Sequence, residues 1–391
     1  MERKNFTGLY SVMQAVTWGG FGVIIAYASS YFLNCGLTNR DYGMLMALVC
    51  ALAFVIQLCL SELISKLNKF TLKRTLTATG VLMLLCSVLL IAGANMALPI
   101  RIVVYCMGAI AIQLMPATVN ALGIAGMNEG FIIKFGPARG IGAIGYAFFS
   151  YFTGKLIILV GQTAIPVMFS VLAIMLIVGV GLFPNVNGRI EKEENAKDKN
   201  SLLRSKGFAA LLISSTALYL GHNFLCNFML QTMQSRGGNE ANQGIATAIA
   251  AVCELPVMFM FSAMLKKARC DTWLKLSGVF MSCKCIFTLI AVSVPFVYGA
   301  QLWQLGGFSM YAVASVYYVG SVVPPEQNVR GQALLGVTCT LSNLIAFAAG
   351  GWLLDILGIQ ALLAVSTAVS LIGAIGFFVF TQPVHHTVGE A

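Results

Sequence analysis

Residues 241–265 read ANQGIATAIAAVCELPVMFMFSAML. The stretch is long and apolar enough to cross a bilayer, which takes about 20 helical residues. One charge interrupts it, Glu254, near its centre. A helix rises about 1.5 Å per residue, so this carboxylate falls close to the middle of the span. An ionised group at that depth costs at least a few kcal/mol on insertion scales. Pro256, two residues on, removes a backbone donor and loosens the ladder beside the carboxylate. A chain keeps such a group either as a structural pair or as a proton-exchanging group facing a wet cavity. The second reading makes Glu254 a protonation site on a path through the membrane.

The composition agrees with a membrane location. The 391 residues are 58% hydrophobic and 10% charged, with a mean hydropathy of +0.85; a soluble domain carries about 25% charged residues. A net charge of +10 would suggest nucleic acid in a soluble chain, but here the excess of cytoplasmic Lys and Arg in membrane proteins accounts for it. No nucleic-acid partner is expected. The opening MERKNFTGLYSVMQAV lacks a signal-peptide layout, and its apolar segment continues to about Leu33 without a small-residue cleavage site, so it is predicted to stay as a helix. Eleven cysteines are scattered singly, and the close pair Cys283 and Cys285 points to different helix faces. Neither a disulfide framework nor a metal site is expected.

Hydropathy predicts an all-α membrane protein with twelve transmembrane helices in two pseudo-symmetric six-helix bundles. The spans are roughly 7–33, 41–64, 75–94, 100–127, 139–160, 163–182, 207–233, 241–265, 273–294, 297–322, 332–357 and 360–381. The polar segment 184–206, with GRIEKEENAKDKNSLLRSK inside it, reads as a cytoplasmic linker between an N-terminal bundle (1–183) and a C-terminal bundle (207–391). Of the 24 Lys and Arg, nineteen fall on the side that holds both termini and the linker, four on the other side, and Lys284 within a span. The asymmetry places both termini in the cytoplasm, and a cell inner membrane is expected.

The halves repeat weakly. Shifting SELISKLNKFTLKR (61–74) by 201 residues onto SAMLKKARCDTWLK (262–275) aligns Ser61 with Ser262, Lys66 with Lys267, Thr71 with Thr272 and Arg74 with Lys275. Arg139-Gly140 opens the fifth span and Arg330-Gly331 the eleventh. A parallel repeat of two six-helix halves is a known transporter design, with its site near the midplane.

These features resemble the major facilitator superfamily over almost the whole chain. The family signature between spans 2 and 3, G-x-L-x-D-R-x-G-R-K, is matched by Leu63, Lys66 and Lys69, whereas Ser61 and Ser65 stand where the first Gly and the Asp belong. NALGIAGMNEGFIIKFGPARGIGAIGYAF and AVCELPVMFM are similar to the branch near the sugar/proton symporters, with its lactose-permease-like and phenylpropionate-permease-like members. The lactose-permease type of that branch also carries an acid in span 8 and a base in span 9, as Glu254 and Lys284 do here. The resemblance implies the fold and the general mechanism of secondary transport. It does not imply a substrate, because span 10 holds no His or Glu and Arg139 sits at the mouth of span 5 rather than deep within it.

The polar residues inside spans supply the candidate sites. Glu254, His222 and Lys284 are candidates for proton coupling. His titrates near physiological pH, and a mid-membrane ammonium needs a counter-charge, a wet cavity or loss of its proton. Either Lys284 pairs with Glu254, or it binds an anionic solute. Trp18, Gln113, Asn120, Asn223, Gln304 and Asn343 are candidates for substrate binding. Gln113 and Asn120, seven apart, are expected on one helix face. For each amide the alternative is interhelical glue. Lys66, Arg139 and Arg330 are candidates for a cytoplasmic gate, the alternative being simple topology. No P-loop is present, and no catalytic residue, metal or cofactor is expected.

The function expected is therefore not enzymatic. It is proton-coupled uptake of a small polar solute (sugar-, nucleoside- or aromatic-acid-like), by a protein working as a monomer in the lipid bilayer with the proton gradient as its driving force. Proton-driven efflux of amphipathic compounds and a non-transporting membrane sensor are the alternatives. The charge asymmetry gives a direct test of orientation: protease added outside intact cells should leave the segment between Arg189 and Arg204 uncut, and external cleavage there reverses the topology.

Overall fold

The computed structural model describes residues 5–66, 71–93, 96–186, 202, 206–324 and 327–383. The linker expected at 184–206, apart from residues 184–186, 202 and 206, lies outside them, as do both chain ends. Secondary structure among the described residues is helical, with one isolated bridge between Asn5 and Ile132. The chain divides into two compact units: residues 1–192 together with 239–252, and residues 193–238 together with 253–391.

In the first unit, α1 (Thr7–Gly20) runs into a π-helical turn, Phe21–Ile25, and then α2 (Ala28–Asn34). Next come α3 (Asn39–Lys66), α4 (Leu72–Ala92), α5 (Leu98–Asn128), α6 (Phe135–Val160) and α7 (Ala164–Leu182). The π turn interrupts the i→i−4 ladder. Tyr105 Oη, from α5, donates to the Ile24 carbonyl in that turn at 2.7 Å. The Tyr105 ring stacks on Tyr31 with centroids 4.4 Å apart. α1 packs against α5, α6 and α7, and α4 against α5 and α7.

The second unit holds α8 (Lys206–Asn227), α9 (Met229–Gln234), the later part of α10 (Glu240–Leu265), α11 (Cys270–Leu289), α12 (Val294–Gln301), α13 (Phe308–Val322) and α14 (Asn328–Phe380). α14 lies along α8 and α11. Its contact with α8 is close because small residues face each other: a Cβ on Gly221 would come within 2.6 Å of the Ser366 carbonyl oxygen, and one on Gly373 within 2.6 Å of the Leu218 nitrogen.

Eight stretches among the described residues are long and apolar enough to cross a membrane. Two are far too long for one crossing: 135–182, at 48 residues, and 330–380, at 51. A straight helix of that length would extend about 70–75 Å, against a hydrocarbon core of about 30 Å. Each is broken by a glycine at positive φ, Gly161 (73°) and Gly358 (78°), a conformation that a Cβ makes costly. The expected boundaries 160/163 and 357/360 fall on these breaks. The span expected at 297–322 is itself interrupted, by a 3-10 turn at Leu302–Leu305 followed by Gly306-Gly307. Large apolar side chains such as Leu48, Phe148, Ile213 and Ile372 leave more than half of their surface exposed, as lipid-facing groups do.

The first turns of α10 dock on α6 through two glycines. A Cβ on Gly154 would sit 2.4 Å from Tyr27 Oη and 2.5 Å from the Glu240 carbonyl oxygen. One on Gly244 would sit 2.6 Å from Tyr27 Oη and 2.7 Å from the Ser150 carbonyl oxygen. Backbone atoms cannot give way as a flexible side chain can. Gly154→Val and Gly244→Val should each destabilise the protein by about 1–3 kcal/mol, seen as a lower melting temperature in detergent; an unchanged melting temperature for both would contradict this close packing.

Candidate functional site

The two charges expected deep in the membrane meet in the second unit through a third side chain. Lys284, on α11, is 2% exposed. Its Nζ donates to Gln304 Oε1 at 2.7 Å. Gln304, 4% exposed in the 3-10 turn, donates through Nε2 to Glu254 Oε1 at 2.9 Å. The order of atoms is dictated by chemistry. An ammonium has only donors, so the amide oxygen must face Lys284 and the NH2 must face the carboxylate. Gln304, expected among substrate-binding residues, is thus the bridge between the two charges. Its backbone carbonyl accepts from the Gly307 N–H at 3.2 Å and lies 3.0 Å from Ser309 Oγ, which is also 2.5 Å from the Leu305 carbonyl oxygen.

His222 lies on α8, buried, with its ring stacked on Phe308 at 5.1 Å and an interplanar angle of 13°. Phe308 is the first residue of α13, so His222 packs where the broken span resumes. Its Nε2 is 3.4 Å from Cys226 Sγ, one turn along the same helix. Asn223 Nδ2 donates to Ser342 Oγ at 3.3 Å, and Asn227 Nδ2 to Asn343 Oδ1 at 2.9 Å. Both bonds join α8 to α14, so in this conformation Asn223 and Asn343 serve as interhelical ties.

The first unit holds a separate polar cluster on one face of α1. Gln14, 1% exposed, donates through Nε2 to Tyr10 Oη (2.8 Å) and to Asn120 Oδ1 on α5 (2.9 Å), and its Oε1 accepts from Trp18 Nε1 (3.2 Å). Arg139, near the start of α6, lays its guanidinium 3.9 Å above the Trp18 ring. Such a contact contributes about 0.5–2 kcal/mol, more where water is excluded. Arg139, expected at a cytoplasmic gate, therefore joins Trp18 and Asn120, which were expected to bind substrate. Gln113 goes elsewhere: its Nε2 is 3.7 Å from Cys50 Sγ on α3. Spacing of seven aligned Gln113 with Asn120, but Pro116 lies between them in α5 and their side chains reach different neighbouring helices. Of the other gate candidates, Arg330 is partly buried in the first turn of α14, and Lys66 is the last residue of α3, its side chain outside the described residues.

Two groups escaped the sequence reading. Gln14 completes a Tyr10–Gln14–Trp18 stripe with i, i+4 spacing, a signal that was available. Glu240 opens α10, and its Oε1 accepts from Ser30 Oγ at 3.0 Å, which in turn accepts from Gln162 Nε2 at 2.8 Å. Neither its position at a span end nor its neighbours in sequence point to this chain of bonds. All eleven cysteines are free thiols.

A sequence model described as the MFS_1 like family matches residues 9–365. No curated protein matches the chain. Among solved structures, a crystal structure of the nucleoside transporter NupG is 14% identical with a TM-score of 0.72, over 96% of this chain and 98% of that one. A mutant of the same transporter gives 13% identity and a TM-score of 0.79, over 97% and 100%. At that identity the likeness shows the fold, which is that of the major facilitator transporters. The match across most of its length, together with the apolar helices, shows that the chain belongs to the MFS_1 like family and is a multi-pass membrane transporter, not an enzyme.

Proposed function

We propose that the protein is a secondary active transporter for proton-coupled uptake of a small polar solute, working as a monomer by alternating access. Its twelve spans form two bundles, 1–183 and 207–391, joined by a cytoplasmic linker in a cell inner membrane. No cofactor is needed: the proton gradient supplies the free energy. The observation that carries the reading is the Glu254–Gln304–Lys284 bridge. An acid and a base held in hydrogen-bonded register deep in a transporter are costly to bury, and ionisable groups at that depth mark ion and proton pathways. Protonating Glu254 removes one charge of the set, and any state in which the set is differently solvated then changes its population.

For the solute, nucleosides, sugars and aromatic acids form the panel. Nucleosides come first, because two solved structures of like fold are of a nucleoside transporter. The Trp18 indole and the amide of Asn120 offer stacking and hydrogen bonding to a ring that carries hydroxyl or carbonyl groups. A thermal-shift screen of purified protein selects the substrate for flux measurements.

With that substrate in proteoliposomes, Glu254→Gln should abolish accumulation against a gradient while sparing exchange down it. The neutral amide imitates the protonated carboxyl, so exchange survives, but net uphill movement needs the proton to leave. A Gln variant that still concentrates substrate at the wild-type level removes Glu254 from the coupling role.

A further inference from the structure

Gln304 does more in this geometry than fill a gap between two charges. It sits where its span is broken, on a 3-10 turn followed by two glycines. The break is wedged against α11: a Cβ on Gly306 would fall 2.3 Å from the Phe280 ring, and one on Gly307 would fall 3.1 Å from Met281 Cγ. Phe280 and Met281 lie one turn before Lys284 on that helix. The turn that carries the amide is thereby fixed to the helix that carries the ammonium. The amide itself has a single permitted orientation, oxygen to Lys284 and nitrogen to Glu254.

We propose that Gln304 is the positioning residue that sets the proton affinity of Glu254, acting as a one-amide spacer between the carboxylate and Lys284. The proposal rests on reading Glu254 as the proton-binding group. A direct buried contact between ammonium and carboxylate would hold the carboxylate ionised and resist the proton that coupling requires. Placing an amide between them roughly doubles the charge separation and, because Coulomb energy falls as 1/r, roughly halves the attraction. The amide returns part of that loss as a charge-assisted hydrogen bond to the carboxylate, and this bond weakens when Glu254 takes up a proton. Other titratable groups within electrostatic reach of Glu254 or Lys284 include Tyr219, His222 and Cys226 on α8, Cys253 on α10 and Cys285 on α11. None of these stands between the two charges in the bonded path.

A spacer and a simple packing residue respond differently to size. Gln304→Ala opens room for Lys284 to reach Glu254 directly, so the carboxyl should titrate at lower pH than in the wild type. Gln304→Leu keeps the volume, blocks direct contact and removes both hydrogen bonds, so it should titrate at higher pH. The readout needs no substrate: the infrared C=O stretch of the protonated carboxyl, assigned by its loss in Glu254→Gln, is followed against pH in reconstituted protein. Shifts of about one pH unit in opposite directions are expected. Midpoints within about 0.3 unit of wild type for both variants, or shifts of the same sign, overturn the spacer role while leaving Glu254 as the proton site. A wild-type band that does not titrate between about pH 4 and 10 instead overturns the reading of Glu254, and the spacer role with it. If Gln304→Ala fails to fold, Gln304→Ser serves as the small variant.

Discussion

A lysine ammonium held out of water is the constraint on which the second unit depends. Lys284 is 2% exposed and carries three donors. A charge in that position needs both an acceptor and a counter-charge, or it sheds its proton. The chain supplies the acceptor from Gln304 and the counter-charge from Glu254, and each comes from a different helical segment. Much of the local architecture follows from bringing these three together. Gln304 can reach both neighbours because its span stops and restarts around it. The break in turn is closed by the Gly307 N–H on the Gln304 carbonyl, with Ser309 Oγ beside the Gln304 and Leu305 carbonyls, and has glycines where α11 presses against it.

The same economy of backbone hydrogen bonds governs the other interruptions. In hydrocarbon an unpaired backbone group costs several kcal/mol, so a broken helix survives only where side chains complete it. Tyr105 Oη closes the π turn at Ile24. Gly161 and Gly358 allow breaks between successive long helices without asking a Cβ to occupy the left-handed region. The irregular points of the fold are therefore specified as firmly as the helices, by one hydroxyl or one glycine each.

How much of this was legible beforehand follows from what each signal measures. Hydropathy measures transfer from water to lipid, and it placed the helices and the breaks near Gly161 and Gly358 because a span has a fixed length. Depth along a span follows from counting residues, which is why Glu254 and Lys284 stood out. Rotation about the helix axis and the reach of a side chain across to the next helix are not encoded in spacing alone. Gln113 and Asn120 share a register yet bond to α3 and α1 respectively. Gln304 read as one amide among several, and only its neighbours in space make it a bridge. Arg139 read as a mouth residue because its position in sequence precedes the apolar run; its side chain is long enough to lie back over Trp18.

The weak internal repeat sharpens the contrast between the units. Residues 61–74 and 262–275 correspond, as do the openings at Arg139 and Arg330, so the two halves share a helical plan. Their polar interiors do not correspond. The first unit gathers a phenol, two amides, an indole and one guanidinium, and the guanidinium is met by a π face. The second unit gathers a carboxylate and an ammonium with an amide between them. A repeat conserves what packing needs, namely small residues at close approaches and apolar faces toward lipid. It leaves the few buried polar positions free to diverge, since each costs free energy and is kept only for a specific partner. The divergence between the halves therefore falls on their buried polar residues, and the hydrogen-bonded acid and base at mid-span lie together in one of them.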